Sequence, residues 1–167
     1  IQAARAAEPK TVLSVPCGSG RDVAAICSAQ ENVVSVTAVD PDPWALAATK
    51  KRCSTARVIE GGVDDIPNET FDLILYLGLS EYLGDAEVIR HLKRLERALS
   101  PGGRIVTSLT AGHPQWGAMK KWLGWETRRR NPETFSTLVE TAGLVVESRE
   151  GDPAGAQWVM VLRGDRR

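Results

Sequence analysis

Net charge is absent from this sequence, because 21 Lys and Arg residues are balanced by 21 Asp and Glu residues. Without a net field to attract a polyanion or an anionic surface, neither nucleic acid nor a membrane is expected as a partner. No apolar run approaches the roughly 20 residues that span a bilayer. Cysteine is also scarce. Cys17, Cys27 and Cys53 lack CxxC spacing and favour free thiols in a reducing cytoplasm over a disulfide framework.

Strand-like and helix-like segments alternate along the chain, which predicts one α/β domain over residues 1–167 around a mostly parallel sheet. Strands are predicted at 11–16, 33–39, 57–60, 71–77, 104–110, 144–150 and 156–163. Helices are predicted at 22–30, from Pro43, at 85–99 and from Pro132. A Gly/Asp/Pro turn with no helix joins the last two strands. We therefore expect a hairpin in which strand 156–163 is antiparallel to the rest.

The stretch TVLSVPCGSGRDV (11–23) combines a strand, a glycine turn and the start of a helix. Gly18 and Gly20 allow the backbone to approach a ligand, and the N–H groups that open the helix favour an anionic group. Asp40 follows Gly20 by 20 residues, at the end of the second strand. A carboxylate there can accept two hydrogen bonds from a ribose diol. Each feature alone is typical of an ordinary turn or helix start, but together they predict an adenosine-containing ligand.

Two observations narrow the kind of adenosine ligand. A nicotinamide-binding fingerprint needs Gly or Ala three residues after its second glycine, where this chain has Val23. The GxxxxGK[ST] loop that binds nucleoside triphosphates does not occur in the sequence. Neither a dinucleotide nor a triphosphate is therefore favoured.

Five segments, in order, resemble motifs of the class I S-adenosylmethionine-dependent methyltransferases over nearly the whole chain. They are VLSVPCGSGR, VTAVDPDP, IEGGVDDIP, FDLILYLGLSEYL and LERALSPGGRIV. GHPQW followed by RRRNPETFSTLVETAGL further resembles a poorly characterised group of bacterial methyltransferases. The resemblance implies a Rossmann-like fold with a seven-stranded sheet, S-adenosyl-L-methionine as cofactor and methyl transfer as the activity.

The resemblance also implies a set of cofactor-binding residues at four strand ends: Pro16, Gly18, Gly20, Asp40, Pro41, Val63, Asp64, Leu77 and Gly78. In this set the glycine loop would line the methionine end, and Asp40 would hold the ribose hydroxyls. The backbone of Val63 would lie near the adenine. Leu77 and Gly78 would form the floor under the methionine part.

The acceptor side is predicted from the residues after the fourth and fifth strands. Enzymes that methylate amino groups of nucleobases or glutamine place Asn or Asp, Pro, Pro, Tyr after the fourth strand, whereas this chain reads GLSEY (78–82). The sequence therefore favours O- or C-methylation of a small molecule. Glu81 and His113 are candidate catalytic bases that could take a proton from the acceptor. A helix-start carboxylate and a loop histidine remain equally open interpretations of these two residues.

Other polar and aromatic residues are interpreted as structural. His91 and the run Arg128–Arg130 are expected on solvated faces. Trp116, Trp122 and Trp125 either wall a small-molecule pocket or pack against the sheet edge. No His/Cys/Asp cluster has metal-ligand spacing, so no metal is expected.

Two departures from the family pattern leave other functions open. Ser14 stands where the first motif usually carries an acid, and Gly62 stands where the adenine loop usually carries Asp. They favour a non-catalytic interaction domain as the first alternative; a nicotinamide-dependent oxidoreductase is the second. Only ten residues precede the first strand, where small-molecule methyltransferases usually carry lid helices. A partner chain or a segment outside this sequence is therefore expected to close the substrate site.

Overall fold

The computed structural model describes residues 9–29, 33–112 and 116–165. The predicted end of the first helix at Gln30, and His113, lie outside the described residues. The strands are β1 Thr11–Ser14, β2 Ser35–Asp40, β3 Arg57–Glu60, β4 Phe71–Tyr76, β5 Leu99–Thr110, β6 Leu144–Gly151 and β7 Gln157–Gly164. The helices are α1 Arg21–Ala29, α2 Pro43–Arg52, α3 Asp85–Arg97, α4 Trp116–Leu123 and α5 Pro132–Thr141, with 3₁₀ turns at Val63–Asp65 and Ser80–Tyr82.

The seven strands form one sheet in the order β3-β2-β1-β4-β5-β7-β6. The neighbours from β3 to β5 pair in parallel, and β7 pairs antiparallel with both β5 and β6. The predicted Rossmann-like sheet with an antiparallel last strand is therefore confirmed. From β1 the chain first builds towards β3 and then crosses to β4 on the other side. Ligands of open α/β sheets bind at such a switch point, outside the carboxyl ends of the strands.

The central strands are buried on both faces, so their residues alternate between two cores. On β4, Leu73 and Leu75 pack in a cluster with Val23 and Ile26 of α1. Ile74 and Tyr76 belong to the opposite cluster, which contains the apolar stripes of α3 and α5. The period of two in a strand and 3.6 in a helix explains this division, since each helix has one buried stripe. The result is a sheet with helices on both faces.

Most predicted boundaries differ from the structure by one or two residues, and the largest difference lies at the Pro-Gly-Gly segment. Helix α3 ends at Arg97 instead of residue 99, and β5 begins at Leu99 instead of residue 104. Phe71 pairs with Leu99 and Leu73 pairs with Arg104, so the Pro-Gly-Gly segment is a bulge inside β5. A bulge leaves extra residues unpaired without ending the strand, which explains why turn residues were not a strand boundary here.

His91 is buried, not solvated, which corrects the sequence interpretation. It is 8% exposed and lies on the core side of α3, where its Nδ1 is 3.0 Å from the hydroxyl of the fully buried Tyr76. Its Nε2 is 3.2 Å from Nη2 of Arg90. Since a guanidinium only donates, Nε2 must accept and the ring proton must be on Nδ1. Burial, followed by the charge of Arg90, lowers the pKa of His91.

This geometry predicts a pH-dependent stability. The unfolded chain takes up a proton on His91 near pH 6.5, whereas the folded protein resists it until a lower pH. The free energy of unfolding is therefore fully retained above about pH 6.5 and falls as the pH drops below it. Urea unfolding at pH 7.5 and 5.5 should show a larger loss for the parent than for His91→Asn, which keeps a nitrogen near the Nδ1 position. Equal losses in the two proteins would contradict the assignment.

Candidate functional site

The chain that leaves β1 remains bonded to both neighbouring strands. The N–H of Val15 donates to the carbonyl of Leu75 at 2.9 Å, and the N–H of Cys17 donates to the carbonyl of Val39 at 2.9 Å. These bonds extend the parallel pairing of β1 with β4 and β2 by one step. The glycine loop therefore begins above the carboxyl ends of all three strands.

Asp40 joins the glycine loop to the end of β2. Its Oδ2 accepts the N–H of Gly18 at 2.8 Å, and its Oδ1 accepts the N–H of Asp42 at 2.9 Å. The side chain is buried, with Asp40 only 6% exposed. A carboxylate offers about four lone pairs, so two acceptor positions remain for a ligand after these two bonds. The residue therefore both orders the loop and can bind hydroxyl donors.

A cleft of about 320 Å³ opens beside Asp40. It is lined by Ser14, Pro16, Cys17, Gly18, Ser19, Arg21, Asp22, Asp40, Leu77 and Gly78. Gly18 and Gly78 have φ angles of 50° and 72°, and no heavy atom lies within 4 Å of the position that a Cβ would take at either residue. The two glycines thus combine a left-handed backbone with open space in front of it. Five residues of the predicted cofactor set lie together here.

Gly20, by contrast, faces protein. It is buried, its φ is 70°, and an added Cβ would lie 2.5–2.8 Å from atoms of Thr49 in α2. The same threonine donates its hydroxyl to the carbonyl of Gly18 at 3.1 Å. Arg52 at the end of α2 donates its Nε–H to the carbonyl of Ser19 at 3.0 Å. Helix α2 therefore holds the glycine loop from outside, and the missing side chain at Gly20 allows this close approach.

The loop after β3 lies next to the end of β2, since Gly61 N–H donates to the Asp40 carbonyl at 3.1 Å. The Val63 side chain is buried in the core. Asp64 pairs with Arg90, whose hydrogen bond lowers the pKa of the Asp64 carboxyl. Asp65 accepts the Gly62 N–H at 2.8 Å. Both carboxylates are therefore engaged with protein groups. The loop and the exposed Pro41 are not part of the cleft lining.

Glu81 lies on the 3₁₀ turn after β4, on the side towards β5. Its Oε2 accepts the Thr110 hydroxyl at 2.7 Å, and that hydroxyl in turn accepts a hydrogen bond from Nε2 of Gln157 at 2.9 Å. The carboxylate is thus fixed at the carboxyl end of β5. Glu81 is not among the residues that line the Asp40 cleft. With His113 outside the described residues, the pairing of the two as catalytic bases stays a prediction.

Arg130 is buried and does not belong to a solvated turn, which corrects the interpretation of the Arg128–Arg130 run. Its side chain is 5% exposed and donates to the carbonyls of Ser80 and Leu83, both at 2.6 Å. It also donates two hydrogen bonds to Oδ1 of Asp85, at 2.7 and 2.9 Å. Arg130 therefore clamps both ends of the turn that carries Glu81. Arg128 and Arg129 are exposed, as expected.

The tryptophans divide into two kinds. Trp116 and Trp125 have ring centroids 6.4 Å apart, and Nε1–H of Trp125 donates to the hydroxyl of Tyr82 at 2.8 Å. This pair packs against the same turn as Arg130. Trp122 is 76% exposed on α4. None of the three lines the Asp40 cleft.

Among the residues that the structure describes, no group of three or more His, Cys, Asp or Glu side chains could hold a metal ion. None of the described helices has the length and apolar character needed to cross a membrane.

The contact of Gly20 with Thr49 predicts a specific loss of stability. Gly20→Ala should lower the free energy of unfolding by about 2–4 kcal/mol, because the methyl group adds overpacking to the strain of a positive φ. Gly143→Ala is the matched control: its φ is 80° and no heavy atom lies within 4 Å of the added Cβ. It should lose only about 1–2 kcal/mol. Urea unfolding of both variants decides the matter, and equal losses would exclude a steric role for Thr49.

The comparisons agree with this geometry. Residues 12–103, more than half of the chain, match the profile of a family described as "Methyltransferase domain". A "possible exported protein" from Bordetella parapertussis has a TM-score of 0.85 and 23% identity, over 99% of this chain and 65% of that one. No curated protein sequence matches the chain significantly.

Two solved enzymes share the fold. One is an O-methyltransferase from neocarzinostatin biosynthesis, in complex with S-adenosyl-L-homocysteine and 1,4-dihydroxy-2-naphthoic acid; its TM-score is 0.77 and its identity 19%, over 96% of this chain and 50% of that one. The other is the N,N-8-amino-8-demethyl-D-riboflavin dimethyltransferase from Streptomyces davawensis, with a TM-score of 0.77 and 18% identity over 95% and 50%. The chain thus spans half to two thirds of these proteins.

The family match covers the strand ends from which the cleft is built, and the sheet order and the antiparallel last strand are those of its structural neighbours. The chain therefore belongs to the class I methyltransferase domain family, whose cofactor is S-adenosylmethionine.

Proposed function

We propose that the protein transfers the methyl group of S-adenosylmethionine to an oxygen or carbon atom of a small-molecule acceptor. The observation that carries the proposal is the cleft beside Asp40, where Gly18 and Gly78 leave open space at the ends of β1 and β4. One neighbouring enzyme is solved with 1,4-dihydroxy-2-naphthoic acid, and another is named for an amino-riboflavin acceptor; both compounds are small and aromatic, which supports a small-molecule acceptor. An oxygen or carbon acceptor is favoured over the amino group of a nucleobase because GLSEY, and not Asn or Asp, Pro, Pro, Tyr, follows β4.

The residues of the cleft fit the cofactor. Asp40 has two acceptor positions left for the ribose hydroxyls. Pro16 and Gly18 would contact the methionine part, and Leu77 with Gly78 would lie beneath it. The remaining members of the predicted set contact other protein groups or solvent and stay predictions as cofactor contacts: Gly20, Pro41, Val63 and Asp64.

The chemistry requires alignment more than activation. The bound cofactor supplies a methyl group already activated by its sulfonium, so the protein chiefly has to orient the acceptor and exclude water. Glu81 is proposed as the base that takes the proton of an acceptor hydroxyl. Because Thr110 donates to Oε2, the proton would go to Oε1. Thr110 and the Arg130 clamp hold this carboxylate in one orientation, which is what a general base needs.

The substrate side is proposed to be completed by another polypeptide segment or a partner chain. Helix α4 leaves Trp122 and Leu123 76% and 73% exposed, which supports a covering element on this side. A cytoplasmic location belongs to the same proposal and is supported by Cys17, Cys27 and Cys53 being free thiols.

One observation favours a second function, a non-catalytic interaction domain. Asp64 and Asp65 are both engaged elsewhere, and Gly62 has no side chain, so the loop after β3 offers no carboxylate to the adenine amino group. Weak cofactor binding would follow.

A thermal-shift panel separates the functions, because a ligand that binds only the folded state stabilises it. At 100 times Kd, S-adenosylhomocysteine should raise Tm by about 5–10 °C. Stabilisation by NAD or NADP alone would overturn the proposal.

The ribose assignment predicts the effect of a single charge. Asp40→Asn replaces one acceptor oxygen by an amide, which cannot accept from both backbone donors and both ribose hydroxyls. The affinity for S-adenosylhomocysteine should fall roughly 10- to 150-fold, as for loss of a charge-assisted hydrogen bond of about 1.5–3 kcal/mol. Asp42→Asn is the control, since it removes the same charge two residues away and Asn remains a good N-cap for α2. Calorimetric titration that finds both variants equal would refute the assignment.

The missing carboxylate after β3 predicts a gain. Gly62 has a φ of −113°, and nothing lies within 4 Å of an added Cβ, so Asp fits there without strain. Gly62→Asp would offer the adenine amino group an acceptor and tighten S-adenosylhomocysteine binding about 2- to 13-fold, the value of one hydrogen bond. Gly62→Ala adds the same Cβ without the acceptor and should leave the titration unchanged. Equal affinities for the two variants would show that the adenine does not bind against this loop.

A further inference from the structure

Cys27 and Cys53 are brought together by the packing of α1 against α2. Their Sγ atoms are 3.2 Å apart, although the residues are separated by 26 positions in the sequence. Cys53 immediately follows α2 and caps it, donating its N–H to the Thr49 carbonyl at 2.9 Å. The third cysteine, Cys17, contacts Thr49 and not another thiol. The two sulfurs therefore form an isolated dithiol outside the cofactor cleft.

The surroundings of the two thiols differ. Burial alone would raise the pKa of Cys53, but hydrogen bonds from Thr55, Cys27 and nearby backbone N–H groups lower it overall. Burial, then the hydrogen bond and charge of Cys53, raises the pKa of Cys27. Cys53 is therefore the thiol that ionises more readily and the more nucleophilic sulfur, while Cys27 keeps its proton to higher pH. A small cleft of about 140 Å³ is lined by Cys27 and Thr55, the two residues whose side chains contact the Cys53 sulfur, so a small oxidant in it lies next to the dithiol.

We propose that Cys27 and Cys53 are a modification site that hydrogen peroxide converts reversibly into a disulfide. The Cys53 thiol first loses its proton to solvent, and the thiolate sulfur attacks one peroxide oxygen; the O–O bond breaks, and the departing hydroxide takes a proton from solvent to become water. The Cys27 sulfur then attacks the Cys53 sulfenic acid. The S–O bond breaks, the S–S bond forms, and the hydroxide leaves with the Cys27 proton as a second water. Two thiols and one peroxide thus give one disulfide and two waters.

The Cys27–Cys53 site lies on the two helices that hold the glycine loop. Helix α1 follows the loop directly, and Thr49 and Arg52 of α2 hold the loop carbonyls. A disulfide would join the C-terminal ends of these two helices and require the sulfurs to approach by only about 1 Å. Because this shift is small, the loop contacts of Thr49 and Arg52 can persist. We infer that under oxidising conditions the disulfide cross-links α1 to the end of α2 and leaves the glycine loop in place. This inference does not depend on methyl transfer.

Peptide mapping tests the proposal directly. Trypsin separates the three cysteines into peptides 11–21, 22–50 and 53–57. After treatment of the full chain with a small excess of hydrogen peroxide, mass spectrometry should show peptides 22–50 and 53–57 linked, with two hydrogens lost, and dithiothreitol should separate them. The peptide that contains Cys17 should keep its free thiol. Linkage through Cys17, linkage between chains, or sulfinic acid at Cys53 without a linked peptide would overturn the proposal.

Two readouts show what the bond does. On oxidation the disulfide closes a loop of 26 residues in the unfolded chain, which should raise Tm by roughly 5–12 °C. Dithiothreitol should reverse this rise. Cys27→Ser and Cys53→Ser should abolish the rise, whereas Cys17→Ser should retain it. If a serine variant does not fold, the reversible Tm change of the parent decides alone. The affinity for S-adenosylhomocysteine should change less than threefold on oxidation. Loss of this affinity would mean that the disulfide deforms the glycine loop and would contradict the inference.

Discussion

The hydrogen bond from the Gly18 N–H to the Asp40 carboxylate is the interaction on which the site depends. The same carboxylate accepts the Asp42 N–H, so one buried group orders the loop after β1 and the start of α2 after β2. Both N–H groups lie where the strands end and regular pairing stops. A hydrogen bond to a charged acceptor contributes about 1.5–3 kcal/mol, which explains why an acidic residue suits this position even before any ligand is considered.

Helix α2 extends this order along the loop. Thr49 and Arg52 donate to the carbonyls of Gly18 and Ser19, and the absence of a side chain at Gly20 allows α2 to approach. The loop is therefore held by protein contacts on its outer side, while Gly18 stays open on its inner side. A binding loop that is ordered beforehand loses less conformational freedom when its ligand arrives. The contact between the thiols of Cys27 in α1 and Cys53 after α2 is made by the same two helices.

The sheet was predictable because its strands are short apolar runs bounded by turns, and the parallel α/β rule then brings the ends of β1, β2 and β4 together. His91 was missed although a signal existed: it falls on the stripe of Val88, Leu92 and Leu95, at helical spacing. Arg130 carried no such signal, since three consecutive arginines differ only in what the fold sets beside them. The Cys27–Cys53 contact likewise follows from helix packing, which residue spacing does not encode.

The most direct test of the cofactor cleft is a crystal structure of the protein in complex with S-adenosylhomocysteine. The account predicts both ribose hydroxyls within hydrogen-bond distance of the Asp40 carboxylate, and the homocysteine part against Gly18 with Leu77 and Gly78 beneath it. The Gly18 and Asp42 N–H groups should still donate to Asp40 in that complex. A ligand bound elsewhere, or a ribose that makes no contact with Asp40, would contradict the account.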